Sequence, residues 1–333
     1  MASSAASAGL AEIKDRIDAA LAGLELPAEP ESLYGPVRYA LAAGGKRVRA
    51  ALVLLAAEAF GGEDAARRAV PVALAVEAFH TFTLVHDDLM DGSATRRGRP
   101  SVHVQYDDPT AILAGDLLMG LAYRLVDAAE LDRPAALGAR FHAMVARLCE
   151  GQALDMAFET RDDVTLDDYL RMIDGKTGAL VRLALEAGAL VGGADAAAVD
   201  ALGRAGLEAG RAFQIQDDLL DLTATDPGWG KPLGQDLVEG KRTALLLDAV
   251  ARSRAAEAAP DDAAFFADVL GGLDPARVDE ARERMRRLGV LDAAAEAVAR
   301  HARASAEALG ALPDGPAAEA LRQLVLGLAG RST

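Results

Sequence analysis

Apolar residues recur at every third or fourth position along most of this 333-residue chain. This spacing places them on one face of an α-helix. Short clusters of Gly, Pro or Asp separate the segments. Aromatic residues make up only 4% of the chain, a composition that favours helices over strands. The sequence predicts an all-α fold with helices at 9–24, 31–43, 46–60, 64–91, 108–129, 132–159, 166–174, 177–191, 195–224, 236–253, 275–304 and 315–330.

The predicted helices form one body. Some, such as Val70–Val85, are apolar nearly all round, which is typical of helices in the middle of a bundle. No segment has the pattern of a strand, and no linker or repeat divides the chain. Residues 254–275 are expected to form a polar connector with a short helix. We therefore predict a single all-helical domain over residues 1–333.

Charge and cysteine content exclude several classes of protein. The chain has 51 acidic and 35 basic residues, a net charge of −16, which disfavours binding to nucleic acid or to an anionic membrane surface. Apolar runs such as Ala50–Ala57 are shorter than the roughly 18 residues that span a bilayer. The single cysteine, Cys149, excludes an internal disulfide and a multi-thiolate metal site. With no signal peptide at the start, a cytoplasmic protein without a membrane span is expected.

Two acidic motifs end apolar helices. They lie at His86–Asp91 and Gln214–Asp221, and each contains the pattern D-D-x-x-D. The first and last Asp of each pattern share one helical face, about one turn apart. Carboxylates are unfavourable at the negative end of a helix unless a cation compensates, and hard oxygen ligands favour magnesium. One such motif alone would be read as a solvated helix end, but two matching motifs indicate a function.

Basic residues accompany these motifs. Three cations follow a flexible turn in Gly44–Arg49, and three more lie in Arg96–Arg99. Lys176 opens a helix, and Lys231 and Lys241 flank glycine-rich turns. Each of these cations alone would be taken as a surface charge. Together, in so acidic a chain, they predict pockets for polyanionic groups.

In combination, these motifs resemble the signature regions of trans-isoprenyl diphosphate synthases. The segments that carry the resemblance lie in order between Leu33 and Leu247: Gly44–Arg49, His86–Gly98, Gly175–Thr177, Gln214–Asp221 and Gly230–Thr243. The resemblance implies a helical bundle around a deep central cavity, normally in a homodimer, with the two acidic motifs facing each other across the mouth of the cavity.

The same resemblance implies roles for individual residues. Asp87, Asp91 and Asp217 would bind about three Mg²⁺ ions, with Asp88 and Asp221 in support. The residues that would bind the allylic diphosphate are Arg96, Lys176, Thr177, Gln214, Lys231 and Lys241. Those that would bind isopentenyl diphosphate are Lys46, Arg49, His80 and Arg97. His80 lies seven residues before Asp87, on the carboxylate face of the helix, although a histidine that only packs in the core would fit there too.

The implied reaction is chain elongation. Mg²⁺ and the cations neutralise the leaving diphosphate of the allylic substrate (dimethylallyl, geranyl or farnesyl) so that the C–O bond ionises. An apolar pocket, to which Phe79, Phe82 and Phe213 are expected to contribute, excludes water from the carbocation. Isopentenyl diphosphate then attacks, and the released diphosphate accepts the proton, so no protein nucleophile is expected.

Product length is predicted from the residues before the first motif. In the family, residues four and five positions before the first Asp, here Thr83 and Phe82, decide where the growing chain stops. One bulky and one small residue resemble geranylgeranyl diphosphate synthases. An ideal helix places Phe82 about 140° from Asp87, so ordinary core packing of Phe82 stays open. Farnesyl diphosphate and a longer polyprenyl diphosphate are the alternative products.

The two acidic motifs argue against two other functions. A class I terpene cyclase usually lacks the second D-D-x-x-D, and a silent partner subunit typically loses one motif, whereas this chain has both.

Asp107 stands where relatives usually have glycine, and we expect it to cap a helix. Trp229 has no predicted role, and neither the N-terminal tract nor the region after Val250 carries a recognised motif.

Overall fold

The protein was analysed as a computed structural model, which describes residues 2–129, 134–224, 232–255 and 259–329. The described residues are almost entirely helical, so the predicted all-α fold is confirmed. The helices are α1 (Ala2–Ala22), α2 (Glu31–Leu41), α3 (Val48–Arg68), α4 (Val70–Met90), α5 (Val102–Gln105), α6 (Asp108–Asp127), α7 (Pro134–Phe158), α8 (Leu166–Ile173), α9 (Ala179–Val191), α10 (Ala196–Thr223), α11 (Gln235–Val238), α12 (Ala244–Ser253), α13 (Asp262–Val269), α14 (Val278–Arg287), α15 (Val290–Ala308) and α16 (Pro316–Ala329).

Shorter elements connect some of these helices. Asp174–Gly178 forms a π-helical turn between α8 and α9, and Pro275–Arg277 and Leu309–Ala311 form 3₁₀ turns. Two strands of two residues each, β1 (Thr95–Arg96) and β2 (Arg99–Pro100), pair antiparallel after α4, with Thr95 opposite Pro100. The prediction of no strand is therefore wrong at this hairpin, which is too short to show an alternating pattern.

Three predicted helix boundaries are also wrong. The expected break at 61–63 is confirmed, because Gly62 has a non-helical backbone with φ of +70° inside α3. The predicted helix 64–91 is wrong, because the chain bends by 82° between Arg68, where α3 ends, and Val70, where α4 begins. The predicted helix 236–253 is two helices, α11 and α12, because the chain turns at Gly240 with φ of +66°. The predicted helix 275–304 is divided by Gly289, which has φ of +71°. Glycine within an apolar pattern thus marked boundaries that the periodicity alone did not reveal.

The chain divides into two compact units. Unit 1 consists of Met1–His142, Leu183–Gly203 and Ala311–Leu324. Unit 2 consists of Ala143–Arg182, Arg204–Gly310 and Val325–Thr333. Both units are built from segments that are distant in sequence, so neither corresponds to a continuous stretch of chain. The single domain expected from the sequence stays a prediction.

Each unit has its own apolar core. In unit 1, the buried stretch Val72–Phe79 covers the whole circumference of α4, as its uniformly apolar sequence predicted. Asp107 caps α6 by accepting a hydrogen bond from the Thr110 N–H at 2.7 Å, so this expectation is confirmed. In unit 2, α12 packs among α8, α13 and α15, with Leu246 and Phe266 fully buried.

One described helix passes a length and composition test for a membrane span. This helix is α6, with a mean hydropathy of 1.3 over its most apolar window, of which 39% is buried inside the protein. The pair α3 and α4, bent by 82°, passes the test only when taken together. The expected absence of a membrane span therefore stays a prediction.

A capping box at the start of α8 offers a test of local stability. The Thr165 hydroxyl accepts the Asp168 N–H at 3.1 Å, while the Asp168 carboxylate accepts the Thr165 N–H at 3.1 Å. We expect Thr165→Ala to lower the free energy of unfolding by about 1 kcal/mol, because an orphan helical N–H loses its acceptor. Urea denaturation followed by circular dichroism measures this loss. Thr165→Ser, which keeps the hydroxyl, should unfold like the wild type, and equal stability of the Ala variant would contradict the prediction.

Candidate active site

In unit 1 the candidate residues gather around the second half of α4 and the segments that face it. The helix places His80 three turns into its length and ends with Asp87, Asp88 and Asp91. The hairpin of β1 and β2 follows directly and carries Arg96 and Arg97. Because the acidic and basic motifs are joined by only a few residues, the local fold brings opposite charges together.

Arg49, His80 and Arg97 form a cluster, hereafter the basic cluster. The Arg49 Nη1 and the His80 Nε2 lie 3.3 Å apart. Burial is the main reason that the pKa of His80 lies well below its usual value, and the positive charges of Arg49 and Arg97 lower it further. His80 is therefore neutral near pH 7, so its ring adds no charge to the two guanidinium groups.

The glycine turn before α3 supports this cluster. Arg97 donates a hydrogen bond to the Gly44 carbonyl, and a Cβ at Gly45 would lie 2.7 Å from the Arg97 guanidinium. Gly45 also has φ of +134°, which side chains rarely adopt. The turn therefore requires glycine both for its backbone conformation and for the space that Arg97 occupies. Lys46, the next residue, is exposed.

Among the cations Lys46, Arg47 and Arg49, it is Arg47 whose side chain is buried and hydrogen-bonded within the protein. Its side chain is 5% exposed and donates to Asp18 Oδ1 at 2.8 Å and to Glu77 Oε2 at 3.2 Å. Glu77, itself buried, also accepts the Ala50 N–H at 3.4 Å. Glu77 thus anchors the start of α3, on which Arg49 lies. Sequence reasoning missed Glu77, although it is the one acidic residue within the apolar stretch Val70–Val85.

The three aspartates of the first motif have different surroundings. Asp88 is buried and accepts a hydrogen bond from the Arg96 Nε at 2.9 Å, which suits the supporting role expected for Asp88. The pKa of Arg96 is raised, first of all by this hydrogen bond. Asp87 is half-buried and Asp91 is exposed, and the two lie one helical turn apart. Asp87 and Asp91 are thus more accessible than Asp88, and their expected role as metal ligands stays a prediction.

The aromatic residues expected to limit chain length lie one turn and more before Asp87. Phe79 is fully buried, and its ring packs edge-on against Phe82 at 5.2 Å and against Phe141 at 5.5 Å between centroids. Phe82 is half-buried and also contacts the His86 ring at 4.8 Å. The hydroxyl of Thr83 donates to the His80 carbonyl at 2.8 Å.

In unit 2 the second acidic motif closes α10. Asp218 is buried and accepts hydrogen bonds from the Tyr169 hydroxyl at 2.7 Å and from the Ala244 N–H at 3.2 Å. Burial raises the pKa of Asp218 to about 7, and the hydrogen bond from Tyr169 opposes this rise. Asp221 is also buried and accepts the Asp236 N–H at 3.1 Å. Asp217 is half-buried.

The cations of unit 2 are held by carboxylates. Lys176, on the π-helical turn, pairs with Asp155 of α7 at 2.5 Å. Lys241 pairs with Glu239 at 2.7 Å. The Thr177 hydroxyl donates to the Gln214 side chain at 3.2 Å, which joins two residues expected to bind the same substrate. Asp155 and Tyr169 were not predicted from the sequence, because nothing in their own segments indicates their partners. Lys231 and Trp229 lie outside the described residues.

The donor chemistry of these residues fits Mg²⁺. Proteins usually bind Mg²⁺ through one or two carboxylates, with substrate phosphates and water completing its shell. Within the described part of the chain, no group of three or more His, Cys, Asp or Glu side chains is placed to hold a metal ion without such help. The carboxylates of Asp87 and Asp91 would supply two oxygen donors to such a shared site, and that of Asp217 in unit 2 would supply one. The predicted facing of the two motifs stays a prediction.

Comparison with known proteins assigns the family. The sequence model of the polyprenyl synthetase family matches residues 30–285. A short-chain isoprenyl diphosphate synthase of Methanothermobacter thermautotrophicus is 41% identical over 298 residues, 89% of each chain. A geranylfarnesyl diphosphate synthase of Natronomonas pharaonis is 43% identical over 78% of this chain and 82% of its own. The crystal structure of a geranylgeranyl pyrophosphate synthetase from Pyrococcus horikoshii aligns with a TM-score of 0.85 at 37% identity, over 98% of this chain and 96% of that chain.

The resemblance inferred from the acidic and basic motifs is thereby confirmed, together with the predicted class of enzyme. The match begins at residue 30 and extends through both acidic motifs. The chain belongs to the polyprenyl synthetase family and is a prenyltransferase.

Proposed function

We propose that this enzyme condenses isopentenyl diphosphate with an allylic diphosphate and releases geranylgeranyl diphosphate. The observation that carries the proposal is the basic cluster beside the acidic pair: His80 lies on the same helix as Asp87, Arg97 on the hairpin that follows Asp91, and Arg49 on α3. A terpene cyclase needs no second diphosphate site, so this arrangement favours a chain-elongating enzyme. The two intact acidic motifs likewise argue against a silent subunit.

The basic cluster would bind isopentenyl diphosphate together with Lys46. Two guanidinium groups can form forked hydrogen bonds to phosphate oxygens, and the neutral imidazole can donate one more. Arg47 would not contact the substrate, because its donors are taken by Asp18, Glu77 and the Leu41 carbonyl. The nucleophile of the reaction is the alkene of this substrate, so these residues only bind and orient it.

The residues proposed to bind the allylic diphosphate are Arg96, Lys176, Thr177, Gln214, Lys231 and Lys241. We propose that Asp87, Asp91 and Asp217 are Mg²⁺ ligands. Mg²⁺ would neutralise charge on the leaving diphosphate when bound. The released diphosphate itself would accept the proton lost from the product, so no side chain is assigned as the base.

The product length would be set by Phe82. Its ring lies against Phe79, which is held in the core by Phe141, so a growing chain that reaches Phe82 meets a wall that packing keeps in place. Relatives of this chain carry names for different products, among them a geranylfarnesyl diphosphate synthase. The chromatographic assay described below therefore distinguishes geranylgeranyl diphosphate from a shorter or a longer product.

A homodimer is also proposed, because α5 and α6 expose large apolar side chains. Val104, Tyr106, Ile112 and Leu113 are between 43% and 58% exposed. Clustered exposed apolar residues mark interaction surfaces in soluble proteins, and a second copy of the chain would cover them. The cytoplasmic location expected from the sequence stays a prediction.

The metal assignment is tested by Asp87→Ala. We expect turnover of isopentenyl and farnesyl diphosphates with MgCl₂ to fall about a thousandfold or more, because a ligand of the ion that stabilises the leaving group is lost. The far-ultraviolet circular dichroism spectrum should not change. Asp64→Ala, at an exposed aspartate of α3, is the matched control and should keep full activity. Near-normal turnover of the Asp87 variant would refute the assignment.

The product-length assignment is tested by Phe82→Ala. We expect longer prenyl chains on chromatography of the dephosphorylated products, because the removed ring opens space next to Phe79. Phe60→Ala, at a half-buried phenylalanine of α3, serves as the control for loss of an aromatic ring. An unaltered product distribution in the Phe82 variant would show that the chain stops elsewhere, and the wild-type distribution itself identifies the product.

The proposed dimer is tested by Leu113→Asp. A charge in the centre of the exposed apolar surface should leave the chain monomeric, because a charge cannot be buried there without a partner. Light scattering after gel filtration measures the mass of wild type and variant. Leu166→Asp, at a leucine of α8 that is 44% exposed, should not change the mass. A wild-type chain with the mass of one copy would exclude the dimer.

A further inference from the structure

The residues that carry Lys176 and Thr177 have an unusual backbone. Asp174–Gly178 forms a π-helical turn between α8 and α9 instead of continuing the α-helix. A π-helical turn has a different helical repeat from an α-helix, so the directions in which its side chains point depend on the turn being kept. Whatever holds this turn therefore decides where Lys176 and Thr177 point.

Helix α10 holds the turn at two points. Arg211 forms a forked ion pair with Asp174, in which Nε and Nη2 each donate to one carboxylate oxygen at 2.7 Å. One helical turn further along α10, Gln214 accepts the hydrogen bond of Thr177 at 3.2 Å. Asp174 and Thr177 are three residues apart, and so are their partners on α10, Arg211 and Gln214. The first contact fixes the start of the turn, and the second fixes a residue expected to touch substrate.

The backbone of the turn lies unusually close to its neighbours. A Cβ on Gly151 of α7 would lie 2.3 Å from the Lys176 backbone nitrogen, and one on Gly175 would lie 2.4 Å from the Arg147 carbonyl oxygen. These glycines let α7 approach the turn. Such contact limits movement toward α7 but does not fix rotation of the turn about its own axis.

A cavity beside the turn leaves room for such rotation. The cavity has a volume of about 500 Å³ and is lined by Asp174, Gly175, Ala179 and Leu207, among others. The turn therefore borders open space on one side. Packing alone does not fix Asp174 there, and the forked ion pair holds its carboxylate in one direction.

Arg211 is itself fixed in place. Its Nη1 donates to Glu208 at 3.0 Å, and Glu208 in turn lies 2.6 Å from the His301 Nδ1 of α15. Arg211 is about three-quarters buried, so the pair is partly shielded from water. The hydrogen bonds to Asp174 raise the pKa of Arg211. Arg211 therefore keeps its positive charge near neutral pH.

We propose that the Arg211–Asp174 pair positions Lys176 and Thr177 for the allylic diphosphate, and that Arg211 is a positioning residue that does not touch substrate. This inference rests on the proposed function, which assigns Lys176 and Thr177 to the allylic substrate. The second substrate, isopentenyl diphosphate, is assigned to residues of unit 1. A loss of the pair should therefore affect one substrate and not the other.

The test is the kinetics of Arg211→Gln with each substrate varied in turn. We expect the KM for geranyl diphosphate to rise about tenfold and kcat to fall, while the KM for isopentenyl diphosphate changes less than about twofold. Titration calorimetry with the unreactive thiolo analogue of geranyl diphosphate should show a matching loss of affinity. Arg211→Lys, which keeps the charge but not the forked hydrogen bonds, should recover only part of the lost affinity.

Two further variants separate positioning from general damage. Arg161→Gln removes a similar fork, to Asp163, in the connector before α8 and should leave both KM values unchanged. The double variant Arg211→Gln with Asp174→Asn should be no worse than Arg211→Gln alone, because both changes remove the same contact. Equal rises in the two KM values, or no rise in either, would overturn the inference. A wild-type enzyme that does not condense the two substrates would instead refute the proposed function.

Discussion

Carboxylates that are buried in unit 1 and half-buried in unit 2 hold cationic side chains in place. In unit 1, the Glu77 carboxylate accepts a hydrogen bond from Arg47, and the Asp88 carboxylate accepts one from Arg96. In unit 2, the Asp174 carboxylate accepts one from Arg211. A buried charge without a partner is strongly unfavourable, so each pair confines both of its members to one geometry. The carboxylates thereby do more than neutralise charge. They fix the backbone segments on which the cations proposed to bind substrate lie.

This arrangement suits a strongly acidic protein that is proposed to bind polyanions. A net charge of −16 repels diphosphates at long range, and salt screens that repulsion beyond about 10 Å. Binding of a diphosphate then depends on nearby cations that already lost water of hydration when the protein folded. In unit 1 the neutral His80 beside Arg49 limits repulsion within the basic cluster, which is why several donors can share a small volume.

The sequence predicted the helical fold and the candidate residues better than it predicted their supports. Helical periodicity located nearly every long helix, and the repeated D-D-x-x-D located both acidic motifs, since these are local patterns. Glu77 and Arg211 were missed because their partners, Arg47 and Asp174, lie 30 and 37 positions away. The surroundings of Asp88 and Asp91 differ although both are aspartates, because the fold buries Asp88 and exposes Asp91. The hairpin at Arg96–Arg99 was too short to predict from periodicity.

One helix, α4, carries the residues proposed to set chain length and the residues proposed to bind substrate. Phe79 directly precedes His80, Phe82 lies between His80 and Asp87, and the Thr83 hydroxyl donates to the carbonyl of His80. The residue proposed to close the apolar pocket is thus less than two helical turns from one proposed to contact a diphosphate. Because α4 is buried all round over Val72–Phe79, it cannot shift to accommodate a larger side chain at one of these positions. Under the proposed function, a change at position 82 or 83 would therefore alter product length through the size of the side chain itself, with the helix and its charged end staying where they are.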